Sequence, residues 1–321
     1  MNNSVEPGDA HPLVSVVILN YKRREALEHS LGSALSQEYP NLEILLVDNG
    51  SNDGIRDYVR PHAPRVRLIA LPRNLGACGG RNAGIREAHG SVVITLDNDI
   101  YFDSVYEVRK VVLMLKSRPD VHLLAFQLCD PETGIPRLRE WCHPRHWQDY
   151  AREEFETNFF VEGACAYRRE VFQTAGMYYE PLFLGVEGHD LALRVLDSGY
   201  RILYCPHIRA NHLMSAETRT PERPFYFYTR NYIWIAHKDF RFVAGVKFLI
   251  PKLLMMLCFA LRAGRLPAFL RGLRDGVKGL FNVHHDRTAV SDRTEKYLAG
   301  LEGGRPNWLV RLGRHRLETQ I

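Results

Sequence analysis

A chain of 321 residues can form one large domain or two small ones, and its 45% apolar and 25% charged residues match an ordinary globular protein. A disordered chain, a collagen-like repeat and a disulfide-stapled miniprotein are excluded. The net charge of +5 is too small to imply nucleic acid, but it is unevenly spread: 15 Lys/Arg stand against 5 Asp/Glu between Arg241 and Arg316, so a slightly acidic body carries a basic C-terminal stretch.

Residues 1–12 are polar and read as a flexible tail, with neither the apolar core nor the positive leader of a signal peptide, which points to the cytoplasm. The β-branched run Val14 to Leu19 is long enough for a buried strand. Glu25 to Leu35 follows with a helical apolar face, Leu42 to Val47 is a second strand, and residues 48–54 form a turn cluster. Val66 to Leu71 is a third strand, Ala77 to His89 a helix and Ser91 to Leu96 a fourth strand. This alternation predicts βαβ units and a mostly parallel sheet flanked by helices, an α/β fold. In such sheets ligands bind at the carboxyl ends of the strands. Asn20-Tyr21, Asp48-Asn49 and Asp97-Asn98-Asp99 each follow a strand directly, so three strand ends supply polar side chains to one edge.

The stretch from about 128 to 165 is irregular and rich in aromatic residues, among them Trp141, Trp147, Tyr150, Phe155, Phe159 and Phe160. Its part from 141 to 160 either stacks against a ligand or packs the core. Glu187 to Ser198 predicts a helix ended by Gly199, Arg201 to Cys205 a short strand, and Arg223 to His237 an aromatic-rich helix. The six cysteines show no zinc-ribbon spacing and read as free thiols of a reducing compartment. Cys142, His143 and His146 lack a fourth ligand at zinc spacing.

Three blocks could carry chemistry. Asp97-Asn98-Asp99 puts two carboxylates two residues apart at a strand end, a hard oxygen site suited to Mg²⁺ or Mn²⁺ on a diphosphate, or else a turn. VDNGSNDG, residues 47–54, offers an Asp to a nucleobase or ribose, or is a βα turn with Asp53 as helix cap. NLGACGGRNAG, residues 74–84, either cradles phosphate at a helix start or packs a helix closely through its glycines. It fits neither the dinucleotide fingerprint nor the P-loop, which disfavours a nicotinamide enzyme or a P-loop NTPase.

In order, VSVVILNYKR, LLVDNGSNDG, NLGACGGRNAG and ITLDNDIYF resemble the family 2 glycosyltransferases of GT-A fold, in particular rhamnosyltransferase-like members that build surface glycans. Phe160 to Cys165 with Arg168, Arg169 and Phe172, FLGVEGHDLALR (183–194), and Tyr204 through His212 are similar to later segments of the same family, so the resemblance covers about 13–238. It implies a Rossmann-like nucleotide-binding mixed sheet with a C-terminal helical extension from 239 to 321. It also implies an inverting transfer from a nucleoside-diphosphate sugar to a glycan or lipid-linked acceptor. Asn20, Tyr21 and Asp48 would line the nucleobase pocket, Arg81 would lie near the ribose and diphosphate, and Asp97 and Asp99 would form the D-x-D metal pair, with His212 a further ligand or diphosphate contact.

One departure stands out. The family has Glu-Asp where this chain has Glu187-Gly188, and that Asp is the base. Gly188 cannot be a base, which leaves Glu187, Asp190 and His189, with Glu187 favoured; Asp190 can instead pair with Arg194 at i,i+4. A non-catalytic sugar-nucleotide or glycan-binding relative is the alternative that Gly188 raises.

In the basic stretch, Val243 to Leu261 is apolar but interrupted by Lys247, Pro251 and Lys252, and its uninterrupted part falls short of the ~20 residues that span a bilayer. The next segment spaces Arg262, Arg265, Arg271, Arg274 and Lys278 among apolar residues at helical intervals. Residues 243–282 therefore read as a basic amphipathic surface for an anionic membrane, or as helices that close over the domain or form a homodimer.

Overall fold

The computed structural model describes residues 11–51, 53–213 and 220–302. Most of the expected N-terminal tail (1–10) and the end of the extension (303–321) lie outside the described residues. The chain forms two compact units, one of residues 11–142 with 150–213, the other of 143–149 with 220–302.

The first unit opens with β1 (Val14–Asn20), α1 (Arg24–Leu35), β2 (Leu42–Asp48), α2 (Ile55–Val59), β3 (Val66–Ala70), α3 (Gly76–Glu87), β4 (Val92–Asp97) and β5 (Ile100–Phe102). It continues through α4 (Glu107–Ser117) and β6 (Val121–Cys129). Next α5 (Trp147–Tyr150) straddles the unit boundary along the chain, and β7 (Phe155–Glu156), β8 (Ala164–Arg168), α6 (Glu170–Thr174), α7 (Glu187–Asp197) and β9 (Arg201–His212) follow. Among the described residues one nine-stranded sheet has the order β3-β2-β1-β4-β8-β6-β9-β5, with β7 also on β9. Strands β1 to β4 are mutually parallel, and β8 then runs antiparallel to both β4 and β6. The sheet is thus mixed beyond β4.

The parallel half follows from its sequence. Strands buried on both faces need continuous apolar runs, and β1, β2 and β4 are such runs. On one face Val16, Ile18, Leu46, Ile94 and Leu96 join Leu27 and Leu31 of α1 and Val108, Val111 and Leu115 of α4 in a single core. On the other, α3 lies close because glycine lets it. A Cβ at Gly84 would collide with Val17 and Val47, and one at Gly80 would stand 2.5 Å from Leu19 Cδ1. Close packing, one of the two readings of the glycine-rich block, is what those two glycines do.

Strand β9 is much longer than the expected Arg201–Cys205. Pro206 suggests a stop, because proline cannot donate to a ladder. Instead the β6–β9 register shifts between Cys205 and Arg209, a bulge that accommodates the proline and lets the strand run on to His212.

The second unit is helical: α8 (Arg223–Asp239), α9 (Phe242–Arg262), α10 (Leu266–Lys278), α11 (Leu280–His284) and α12 (Asp292–Glu302). The sequence reading ends the sheet domain at 238, but α8 belongs with this unit. Its Tyr232 packs edge-on to Phe248 of α9, Trp234 Nε1 donates to the Gly276 carbonyl of α10 at 2.9 Å, and a Cβ at Gly272 would stand 2.5 Å from the Tyr226 carbonyl oxygen. Helix α9 corrects a second expectation. It is continuous through Pro251 for 21 residues, so it is long and apolar enough to cross a membrane, and only Gly245, Met256 and Ala260 along it are buried.

Candidate active site

Register explains why the polar residues meet. Asn20 pairs with Asp48 and Leu19 with Asp97, so β1, β2 and β4 end together. At the nucleotide end Asn98 Nδ2 donates to Asn20 Oδ1 at 2.9 Å, and Asp48 Oδ1 accepts from the Ser51 amide at 3.2 Å. Tyr21 stands half-exposed beside them, with Lys22 Nζ 5.3 Å from its ring centroid. Asn49 is a latch: its amide donates to the Gly76 carbonyl at 2.9 Å and its Oδ1 accepts from Leu75 N at 2.9 Å, tying the end of β2 to the start of α3. Asp53 does not cap α2; Gly54, with φ +78°, stands at that position.

The second group gathers around Asp99. Strand β5 pairs antiparallel with β9 so that Ile100 faces His212, which brings the preceding residue, Asp99, to the imidazole. Asp99 Oδ2 lies 2.7 Å from Arg23 Nη1 and 3.5 Å from His212 Nε2, and His212 Nδ1 meets the Glu140 carboxylate. Burial opposes the charge on His212, but the hydrogen bonds to Asp99 and Glu140 outweigh it and push the imidazole up to about 9. Asp97 does not join this group. Among the described residues no three His, Cys, Asp or Glu side chains form a metal-holding cluster. The donors nonetheless fit Mg²⁺ or Mn²⁺ in kind: a buried carboxylate and a buried imidazole stand together, with Glu140 Oε2 buried behind them and accepting no hydrogen bond from a described residue.

The third group gathers around Arg81. Its guanidinium lies 2.6 Å from Asp97 Oδ1 and 2.9 Å from Glu187 Oε1, and Asp97 and Glu187 hold it charged against its burial. Gly163 allows Asp97 in, because a Cβ there would stand 2.5 Å from the Asp97 carboxyl carbon. Glu187 opens α7 after two non-glycine residues in the left-handed region, Phe183 (φ 62°) and Val186 (φ 59°). Such strain costs of order 1–3 kcal/mol per residue and gathers at functional sites. Asp190, one turn on and fully buried, lies 2.5 Å from Arg194 Nη2; Arg194 also donates to the carbonyls of Ala175 and Met177. The helix spacing of Glu187 and Asp190 is as expected, but they serve different partners. His189 rests against Phe159.

Sequence reasoning passed over Glu162. Its carboxylate accepts from the Gly188 amide at 2.5 Å, and its backbone carbonyl accepts from Thr95 Oγ1 at 2.6 Å. Burial first, and the neighbouring Glu187 second, push it up to about 8 against the pull of Arg81. An acidic side chain directly before Gly163, in a chain lacking an acid at 188, was the available signal. In the aromatic stretch, Trp141, Phe155 and Tyr204 pack on one another with ring centroids 5.0–5.8 Å apart, which is core packing.

The fold has known counterparts. Mannosyltransferase PcManGT from Pyrobaculum calidifontis, solved with GDP-Man and Mn²⁺, superposes with a TM-score of 0.56 at 18% identity over 92% of this chain and 86% of that one. S. aureus TarS 1-349 superposes with a TM-score of 0.58 at 16% identity over 86% and 84%, in its complex with UDP-GlcNAc. Both share the fold, which is GT-A. In sequence, glycosyltransferase AglE of Haloferax volcanii is 25% identical over 67% of this chain and 68% of its own length. The putative teichuronic acid biosynthesis glycosyltransferase TuaG of Bacillus subtilis is 36% identical over 27% of this chain. The chain matches only 36% of the length of TuaG and 26% of that of the succinoglycan biosynthesis protein ExoO. Residues 15–176, half of the chain, match the model of glycosyl transferase family 2. The chain is a member of the family 2 glycosyltransferases.

Proposed function

We propose that the chain is an inverting, metal-dependent transferase that moves a sugar from a nucleoside-diphosphate sugar to a hydroxyl of a glycan or lipid-linked acceptor, in surface polysaccharide or glycolipid assembly. The observation that carries this reading is the convergence of Asn20, Asp48, Asp97 and Asp99 at the carboxyl edge of β1, β2 and β4, where β9 delivers His212. The GDP-Man and UDP-GlcNAc complexes of the structural neighbours support the donor class. The rhamnosyltransferase-like resemblance adds a nucleoside-diphosphate rhamnose to the candidates.

Asn20, Tyr21 and Asp48 bind the nucleoside, and Arg81 orients the diphosphate. Asp99 and His212, with Asp97 beside them, would hold Mg²⁺ or Mn²⁺. When bound, the ion neutralises the charge that grows on the leaving diphosphate. A carboxylate beside the start of α7 takes the acceptor proton, and attack from the opposite face of the anomeric carbon inverts its configuration. Gly188 supports a second reading, a relative that binds the sugar nucleotide without turnover.

The test is a thermal-shift and calorimetry screen of the full chain with Mn²⁺ and UDP-glucose, UDP-GlcNAc, GDP-mannose and a nucleoside-diphosphate rhamnose. Divalent-dependent binding of one donor, followed by release of its nucleoside diphosphate, is expected. Binding without release favours the second reading, and no binding sinks both.

The helical unit works, in this proposal, at the cytoplasmic face of a membrane. Phe242, Val246, Ile250 and Leu254 of α9 repeat at four-residue intervals and are exposed, as are Leu270 and Val277 of α10 near Arg271, Arg274 and Lys278. An apolar stripe with flanking cations suits an anionic lipid surface. Co-sedimentation with phosphatidylglycerol vesicles, lost in Ile250→Asp, is the expected result. A concentration-dependent dimer disrupted by the same change would assign the face to a second copy instead.

A further inference from the structure

The departure at Gly188 has a structural counterpart. A Cβ on Gly188 would stand 2.5 Å from Glu162 Oε1, 2.9 Å from its Cδ and 3.1 Å from its Cγ. The Glu162 carboxylate therefore fills the space into which a side chain at position 188 would project. Building on the transferase reading above, we propose that Glu162 is the general base of the transfer, supplied from the segment before β8 in place of a side chain at 188.

Four observations carry this. Thr95 holds the Glu162 carbonyl, and the neighbouring Gly163 carbonyl accepts from Asp97 N at 3.3 Å, so Glu162 is fixed beside the end of β4. Its Oε1 is aimed by the Gly188 amide in the first turn of α7, where the helix favours a negative charge. No described side chain donates to its carboxylate, and the residue is only half-buried, so the group keeps a face toward solvent. The two carboxylates in the first turn of α7 are engaged, Glu187 with Arg81 and Asp190 with Arg194, each almost wholly buried.

The surroundings also suit the role. The titratable groups facing Glu162 are Glu187 on α7, Arg81 and Cys78 on α3, Cys165 on β8, and Tyr178. Burial pushes the Cys165 thiol up to about 12 and raises Cys78 and Tyr178 well above their ordinary values, so these three stay neutral. Glu187 and Arg81 are left as the acting charges, and burial with Glu187 prevails. A base is most effective when its pKa lies near the working pH. In the step, the acceptor oxygen bonds to the anomeric carbon as its proton passes to the Glu162 carboxylate. The bond from that carbon to the diphosphate breaks, and its electron pair leaves with the nucleoside diphosphate. Glu187 acts through Glu162 and is a positioning residue.

The experiment follows nucleoside-diphosphate release by the full chain from the four donors above with Mn²⁺. Glu162→Gln keeps an acceptor for the Gly188 amide, so donor affinity and melting temperature should hold while release falls by about 10²–10⁴-fold, the usual worth of a positioned base. The double variant Glu162→Ser/Gly188→Asp should recover release. The release rate of the unmodified chain should rise with pH through a value above the ordinary carboxylate range. Glu187→Gln should move that rise to lower pH, because a like charge has been removed. Independently of turnover, Gly188→Ala should lower the melting temperature through its clash with Glu162, and much less so alongside Glu162→Ser. Full release by Glu162→Gln from an active parent overturns the base assignment alone. Additive melting shifts overturn the shared space on which it stands. A parent that neither binds nor consumes any donor overturns the transferase reading, and the assignment with it.

Discussion

The Asp99 group and the Arg81 group stand a few residues apart along the edge of one sheet, yet they are built on opposite charge logic. Around Asp99, two carboxylates, Asp99 and Glu140, face two cations, Arg23 and His212. Around Arg81, three carboxylates, Asp97, Glu187 and Glu162, share a single guanidinium. In the first group the negative charges push the His212 imidazole up to about 9, so a metal ion bound there would displace its proton. In the second the unmatched negative charge, added to burial, lifts a carboxylic acid to near-neutral pH. A balanced group suits binding, because it keeps a fixed charge for a ligand to meet. An overcharged group suits proton transfer, because one member is poised to change state.

The sharpest way to break this contrast is to empty the first group. Asp99→Ala should weaken Mn²⁺-dependent donor binding by at least about 10–100-fold, the range seen when even an outer partner of a metal ligand is lost. Isothermal calorimetry with donor and Mn²⁺ measures it, and unchanged affinity would remove Asp99 from the metal. Next, Arg81→Met removes the one cation of the second group. Breaking a buried pair costs about 3–5 kcal/mol, and urea denaturation should show a loss of that size, larger than any single carboxylate change nearby.

Asp190 sharpens the comparison as a control, a buried carboxylate with its own arginine and no role in either group. Asp190→Asn should lower stability by about 1.5–3 kcal/mol, the worth of a hydrogen bond to a charged group, with nucleoside-diphosphate release at saturating donor nearly unchanged. Abolished release in a folded variant would return the base to α7. A pH slope completes the comparison. Glu162 titrates at about 8 in the fold against an ordinary 4.5. Between those values the folded chain holds a proton that the unfolded chain has lost, so stability from this group is present at low pH and falls as pH rises through the window. Melting temperatures should decline from about pH 5 to 8, and Glu162→Gln should flatten that decline.

Much of the first half of the fold was legible in the chain itself. Apolar runs with polar residues at their ends specify parallel strands and a ligand edge, because period and burial are local properties. The interior of the second half was not. Strands β6 and β8 show no polar–apolar alternation to mark them, and β9 outlasts its proline only because it bulges there against β6. Helix α9 likewise tolerates Pro251, and local rules that stop elements at proline underestimate both.

What the sequence determined alone is the inventory at the strand ends, Asn20, Asp48, Asp97 and Asp99, and the fact that position 188 carries no side chain. Which of these groups share a charge was decided only by tertiary structure. Asp97 and Asp99 are two residues apart, yet one turns to Arg81 and the other to Arg23 and His212. Glu162 and Gly188 are 26 residues apart, yet one carboxylate meets the other's amide. Hydrogen bonds and steric fit act through space over a few ångströms, so a neighbour in the chain can be remote from the chemistry while a distant residue fills the gap a glycine leaves.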